Sequence, residues 1–222
     1  MIRVGLAFFV TAIAHGFAFR ESLQGTTAFW LWIAVPALLL AALAVHHFWD
    51  TGTLGERLLP RWGDLSIGAL TALVLLVASW VARGTLSPSG TVRQSWLYRV
   101  YLQIGDPEAL QTSAWLTSAI LLVAAAEEII WRGMVLDLLS ARVGARRGWI
   151  LAAVLYGLAM IPTLYTLRDP IAGPNPLLLI AALGCGIVWS FLAARLGRLA
   201  PGIFSHMAFA YFSAAQFRWP GI

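Results

Sequence analysis

The sequence predicts an all-α membrane protein, a polytopic bundle of about seven transmembrane helices, on three observations. The 222 residues are 60% hydrophobic and only 11% charged, where a soluble domain is about half apolar and about a quarter charged. Mean hydropathy is correspondingly high, at +0.79. Apolar runs approaching the ~20 residues that cross a hydrocarbon core recur along the whole chain. No run alternates in the manner of a barrel strand, so helices are left as the means of satisfying the backbone in lipid.

The runs are residues 3–19, 29–48, 65–82, 114–139, 149–164, 177–194 and 199–217, the first and fifth being the shortest. The first has a basic start but no convincing small-x-small cleavage site after it, so it is expected to be a retained span and not a leader. Asp64 is placed to cap the third. Asn175-Pro176 offers a capping side chain before a proline at the first helical position of the sixth, and Gly197 can close that helix. The longest connection, residues 83–113, contains Pro88, Gly90, Gly105 and Pro107. Its middle, "WLYRVYLQI", mixes aromatics with an arginine and suits the membrane interface. The chain therefore divides into residues 1–113, N-terminal spans plus an interfacial connection, and residues 114–222, which hold the charged motif described next.

Charge narrows the function. All fifteen basic residues are arginine and the net charge is +5. The arginines punctuate loops instead of forming a stripe, which excludes a nucleic-acid surface. The densest cluster is Arg142, Arg146 and Arg147 in "SARVGARRG". Placing it in the cytoplasm gives an integral membrane protein with its N-terminus inside and its C-terminus outside. The single cysteine, Cys185, excludes an intrachain disulfide framework and is expected to be a small buried residue.

The exception to this apolar pattern is "AAAEEIIWRGMVLDLL", residues 124–139. Glu127 and Glu128 fall near the centre of the fourth run, where each charge costs about 2.5–3.5 kcal/mol or more. Glu128 and Arg132 are four apart and share a face, so they can pair. Glu127 is turned about 100° away and is left for general-base work. The alternative is an ion-pair cluster that only fixes helix packing. His206, in "GIFSHMAFAYF", is the candidate partner from another span, with His15 in the first span a second candidate. His46 and His47 fall at a helix end.

"EEIIWRG" resembles the EExxxR signature of the CPBP (Abi) family of glutamic intramembrane proteases, which includes CAAX-prenyl endopeptidases. The family's second motif is an aromatic residue followed four later by histidine. "LYGLAMIP" supplies Tyr156 and, at the histidine position, Met160. The third motif is histidine followed four later by Asn or Asp, and "SHMAFAY" supplies His206 and Ala210.

The resemblance implies catalysis by Glu127, Glu128, Arg132 and His206. Glu127 would be the base that activates water, Glu128 and Arg132 its support, and His206 the oxyanion donor or orienter. It implies a membrane-embedded or membrane-tethered peptide substrate, prenylated or not, and a bacterial cytoplasmic membrane. No cofactor is expected, and zinc, which needs three or four ligands, finds a poor set here. Met160 and Ala210 leave two readings open. One is a divergent protease whose missing donors come from His15, Ser205 or Tyr156. The other is a pseudoprotease, a membrane scaffold that binds a membrane protein partner without cutting it. A transporter with a carboxylate relay is a third class, though no pair of broken helices in matching halves supports it.

Overall fold

The computed structural model describes residues 1–216. It is helical throughout; among the described residues the only β pairing is an isolated bridge between Asp169 and Gly173. The elements are α1 (Ile2–Ala18), α2 (Thr27–Asp50), the short α3 (Leu54–Leu58), α4 (Asp64–Leu86), α5 (Gln94–Ile104), α6 (Pro107–Thr112), α7 (Ala114–Glu127), a π-helical stretch Glu128–Val135, α8 (Leu136–Val143), α9 (Ala145–Leu158), α10 (Ile161–Thr166), α11 (Leu177–Leu196), α12 (Ala200–Tyr211) and a second π stretch, Phe212–Gln216. Each expected apolar run is helical, and Phe217, the expected end of the last one, lies outside the described residues.

By length and composition, four helical stretches qualify to cross a membrane: Thr27–Asp50, Asp64–Leu86, Ala145–Thr166 and Leu177–Leu196. α1 is apolar but shorter. The run at 114–139 is interrupted by the π stretch Glu128–Val135, and α12 is only twelve residues before its π continuation. The protein is an integral membrane protein built as a helix bundle.

Lipid tails are as apolar as leucine, so the helices gain from contact chiefly by close packing. Small residues set the approach. Ala7, Ala44, Ala152, Ala153 and Ala159 are completely buried. At Gly68 of α4, a Cβ would lie 2.8 Å from Phe204 Cβ and 2.9 Å from the Pro201 carbonyl oxygen of α12. The opposite face of α4, with Leu70, Leu73, Val77 and Val81, is exposed, as suits contact with lipid. One core gathers Phe48, Ile130, Trp131, Met134 and Leu199. A second gathers Phe19, Phe29, Val100, Ile120 and Ala214. Along α7 the two meet between Ile120 and Ala126, next to Glu127.

Local chemistry adjusts several helix ends. Asp64 does not cap α4 from outside; it is the first residue of the helix, after Gly63. Its carboxylate accepts from the Arg61 amide at 2.8 Å and pairs with Arg198 at 2.6 Å, which ties α4 to the start of α12. Pro176, not Asn175, is the residue that precedes the first turn of α11, while the Asn175 side chain accepts from the Leu177 amide and donates to the Trp96 carbonyl. Gly197 closes α11 at φ 69°, in the left-handed region natural to glycine. The fifth run divides at Ala159–Met160, because Pro162 cannot donate to the preceding turn. Thr163 caps the break by donating to the Met160 carbonyl at 2.7 Å.

The connection expected at the interface contains the amphipathic helix α5, which buries Leu97, Val100, Tyr101 and Gln103. It is strapped to the 167–176 loop by Arg99 on Asp169 at 3.2 Å and by Trp96 Nε1 on the Gly173 carbonyl at 3.3 Å. The amides of Ala172 and Ile171, then Arg99, hold the Asp169 carboxyl down to about 2. A depressed carboxyl stabilises the fold above its unfolded value of about 4 and loses that contribution as pH falls through the folded value. The strap is therefore expected to be fully held at neutral pH and to loosen between about pH 4 and pH 2. Hydrogen exchange across residues 167–176 checks this, and exchange unchanged down to pH 2 contradicts it.

Candidate active site

The two glutamates occupy adjacent positions with different surroundings. Glu127 is the last residue of α7 and Glu128 the first of the π stretch. A π turn shifts the register of everything beyond it, and such turns are frequent at functional sites.

Glu128 is 1% exposed. Its Oε1 lies 3.1 Å from Arg132 Nη1 and 2.9 Å from His206 Nδ1. Arg132 is completely buried. Its nitrogens make no well-aligned hydrogen bond, although the ion-pair distance is short. Coulomb attraction does not require that alignment, so the pair is electrostatic in character. The guanidinium also lies over the Tyr156 ring at 4.2 Å and near the Trp189 ring at 5.3 Å, a cation–π arrangement strengthened by desolvation. The expected pairing of Glu128 with Arg132 is present, and His206 joins it.

Oε2 of Glu128 faces α12 at Gly202, where a Cβ would come within 2.9 Å of it. Only glycine leaves the carboxylate its place. Gly202→Ala is expected to displace that carboxylate and cost about 1–3 kcal/mol, read as a lower thermal midpoint in detergent. A midpoint equal to wild type contradicts the contact.

Glu127, turned about 100° from Glu128, is 8% exposed. Tyr156 donates its hydroxyl to Oε2 at 2.7 Å. His206 Nε2 is 3.7 Å from the same oxygen, and His15 Nε2 is 4.0 Å from Oε1. His206 is held flat against Trp189, ring centroids 3.9 Å apart. Trp189 in turn donates Nε1–H to Ser205 Oγ at 3.0 Å.

Glu127 opens into a small cavity of about 170 Å³ together with His15, Tyr156, Met160, Trp189 and His206. That cavity adjoins a larger apolar one of about 560 Å³, which shares His15, Glu127, Cys185 and His206 and extends along α4, α5 and α11. Among the described residues no three His, Cys, Asp or Glu side chains converge in a metal-binding group.

With this geometry in view, a comparison with known families identifies the region. Residues 109–212 match the Rce1-like family, type II CAAX prenyl endopeptidases. No curated protein and no solved structure matches the chain. The Rce1-like region runs from α6 to the end of α12, just under half of the chain, and establishes the resemblance first drawn from the three motifs. It contains Glu127, Glu128, Arg132, Tyr156, Met160, His206 and Ala210, and excludes His15.

Within and beside the Rce1-like region, the structure brings together Glu127, Glu128, Arg132, Tyr156 and His206. Met160 is buried and lines the small cavity, so the departure from the family pattern falls inside the site. Ala210 lines the larger cavity. Of the three proposed substitutes for lost donors, Tyr156 and His15 reach Glu127. Ser205 does not: it is fully buried, supports Trp189 and lines neither cavity. Sequence reasoning missed Trp189, for which an aromatic in mid-span was the only signal. Cys185 is only partly buried and lines both cavities.

Proposed function

We propose that the protein is an intramembrane glutamic-type endopeptidase that hydrolyses a peptide bond of a membrane-embedded or membrane-tethered substrate. The match of residues 109–212 supports a CAAX-type protease kind of function. The observation that carries the finer reading is the division of labour between the glutamates. Glu128 is fixed against Arg132 and His206, whereas Glu127 lines a cavity and has one oxygen held by Tyr156 and the other 4.0 Å from His15. A carboxylate so oriented takes a proton from water at Oε1 while the Tyr156 hydrogen bond stops its rotation. His206 orients the site, its plane set by Glu128 accepting from Nδ1 and by the Trp189 stack; with the Nδ1 hydrogen given to Glu128, its Nε2 donates to an oxyanion only as the imidazolium. The large apolar cavity suits a substrate with an apolar chain beside the scissile bond.

The test compares protein termini in membranes of the native host, wild type against Glu127→Gln, by mass spectrometry. The reading expects termini that arise only with wild type, and these also name the substrate. Identical termini at equal protein levels overturn it. That outcome favours the second reading, a catalytically silent scaffold, for which the apolar Met160 within the site is the motivating observation.

A further inference from the structure

We infer that His15, supplied by α1 from outside the Rce1-like region, is the second anchor of the attacking water. The inference rests on the endopeptidase reading and adds a residue to it.

α1 is docked so that His15 reaches the site. Gly16 packs against Pro162, where a Cβ would lie 3.2 Å from Pro162 Cβ. At the end of α1, Gln103 of α5 donates to the carbonyls of Ala18 and Arg20. His15 is 9% exposed and lines the same small cavity as Glu127 and Met160.

The tautomer then follows from the partners. Nδ1 lies 2.9 Å from the Thr11 carbonyl oxygen, which can only accept, so Nδ1 carries the hydrogen. In the neutral ring Nε2 is therefore bare, an acceptor, and it points toward Glu127 Oε1 across 4.0 Å. Oε1 is the oxygen that Tyr156 leaves open.

Two acceptors at this separation fit one water. With legs of about 2.8 Å and an H–O–H angle of about 105°, a water donating both hydrogens spans acceptors about 4.4 Å apart. A slightly bent pair of hydrogen bonds closes to the observed 4.0 Å. Fixed this way, the water presents its lone pair to the cavity. Glu127 Oε1 takes one hydrogen as the oxygen lone pair forms the C–O bond and the carbonyl π pair moves onto its oxygen. When the tetrahedral species collapses, the C–N bond breaks and the nitrogen takes the proton from Glu127, which restores the carboxylate. The hydrogen held by His15 remains on the new carboxyl group.

The groups facing His15 across the cavity are Glu127 of α7, Tyr156 of α9, Cys185 of α11 and His206 of α12. Met160 occupies the same wall with a thioether, a much weaker acceptor. A purely packing role for His15 would be met by its stack on Phe19, centroids 5.9 Å apart. Such a stack does not need a bare nitrogen aimed at a carboxylate.

Three variants of the full chain test this in the host, His15→Phe, His15→Leu and His15→Gln, read as pulse-labelled formation of the Glu127-dependent termini at equal amounts of folded protein. Phe and Leu keep apolar packing at two volumes and remove the acceptor, and each is expected to lower product formation about 100-fold. Gln offers a carbonyl acceptor at similar reach and is expected to stay within about 10-fold of wild type. Phe or Leu as active as wild type overturns the inference while leaving the protease reading intact. Gln as inactive as Phe also overturns it, since the acceptor is then not what matters. A wild type without any Glu127-dependent terminus overturns both.

Discussion

Glu127→Gln is expected to lower the rate of the proposed cleavage by about 1000-fold or more while the protein keeps its fold. General-base catalysis by a positioned side chain contributes about 10²–10⁴-fold, and the amide cannot accept the proton that this step releases. The fold survives because the amide has the shape of the carboxylate and its oxygen can still accept the Tyr156 hydroxyl, which lies 2.7 Å from Oε2. Glu127 is also free of the Arg132 pair, so the substitution strands no buried cation. The measurement is the cleavage rate in proteoliposomes, on the substrate found by terminus comparison, beside a thermal melt in detergent. A rate within 10-fold of wild type removes Glu127 from the chemistry. A collapsed melt would instead place it in the structural framework.

Arg132→Met is expected to show the opposite signature, a large loss of stability. Glu128 is 1% exposed and meets cationic charge at Arg132, 3.1 Å away. Removing one partner of a buried pair costs about 3–5 kcal/mol, because the other charge is left uncompensated. For a chain of this size that corresponds to a fall in thermal midpoint of roughly 10 °C or more. Methionine fills much of the space above Tyr156, so the loss is of charge more than of volume. The double variant Glu128→Gln with Arg132→Met is expected to recover a good part of the midpoint, since neither half of the pair remains. A single variant as stable as wild type, or a double variant no better than the single, shows that the pair carries little of the fold.

Much of this site was legible in the sequence because the physics of lipid made it conspicuous. Two carboxylates and an arginine in an apolar run have few innocent explanations, and four-residue spacing paired Glu128 with Arg132 before any coordinates. His206 stood out as a histidine inside an apolar span, Tyr156 came with the family resemblance, and the helices followed from the length of the apolar runs. Three features were not legible. The π stretch Glu128–Val135 departs from the 3.6 period on which such readings depend. Trp189 gained its place under His206 from how α11 packs against α12, which no local pattern encodes. His15 was visible as a histidine in a span, yet its distance from Glu127 depends on how α1 seats against α10 and α5. Asp64 and Asn175 illustrate a smaller gap: both were expected at helix starts, and both are there, with long-range partners in Arg198 and Trp96 that sequence alone could not select.

The larger cavity has a consequence for how any substrate is counted. Its lining includes Leu75, Ala78 and Ala82 of α4, a helix whose far side is exposed along Leu70, Leu73, Val77 and Val81, as suits lipid contact. A peptide that reaches Glu127 past α4 travels in the plane of the bilayer, and the quantity that saturates the site is its mole fraction among lipids. Added lipid then dilutes the substrate even at fixed bulk molarity, and an apolar amphiphile dissolved in the same bilayer competes for the cavity. Kinetic constants for such a molecule acquire meaning as surface densities.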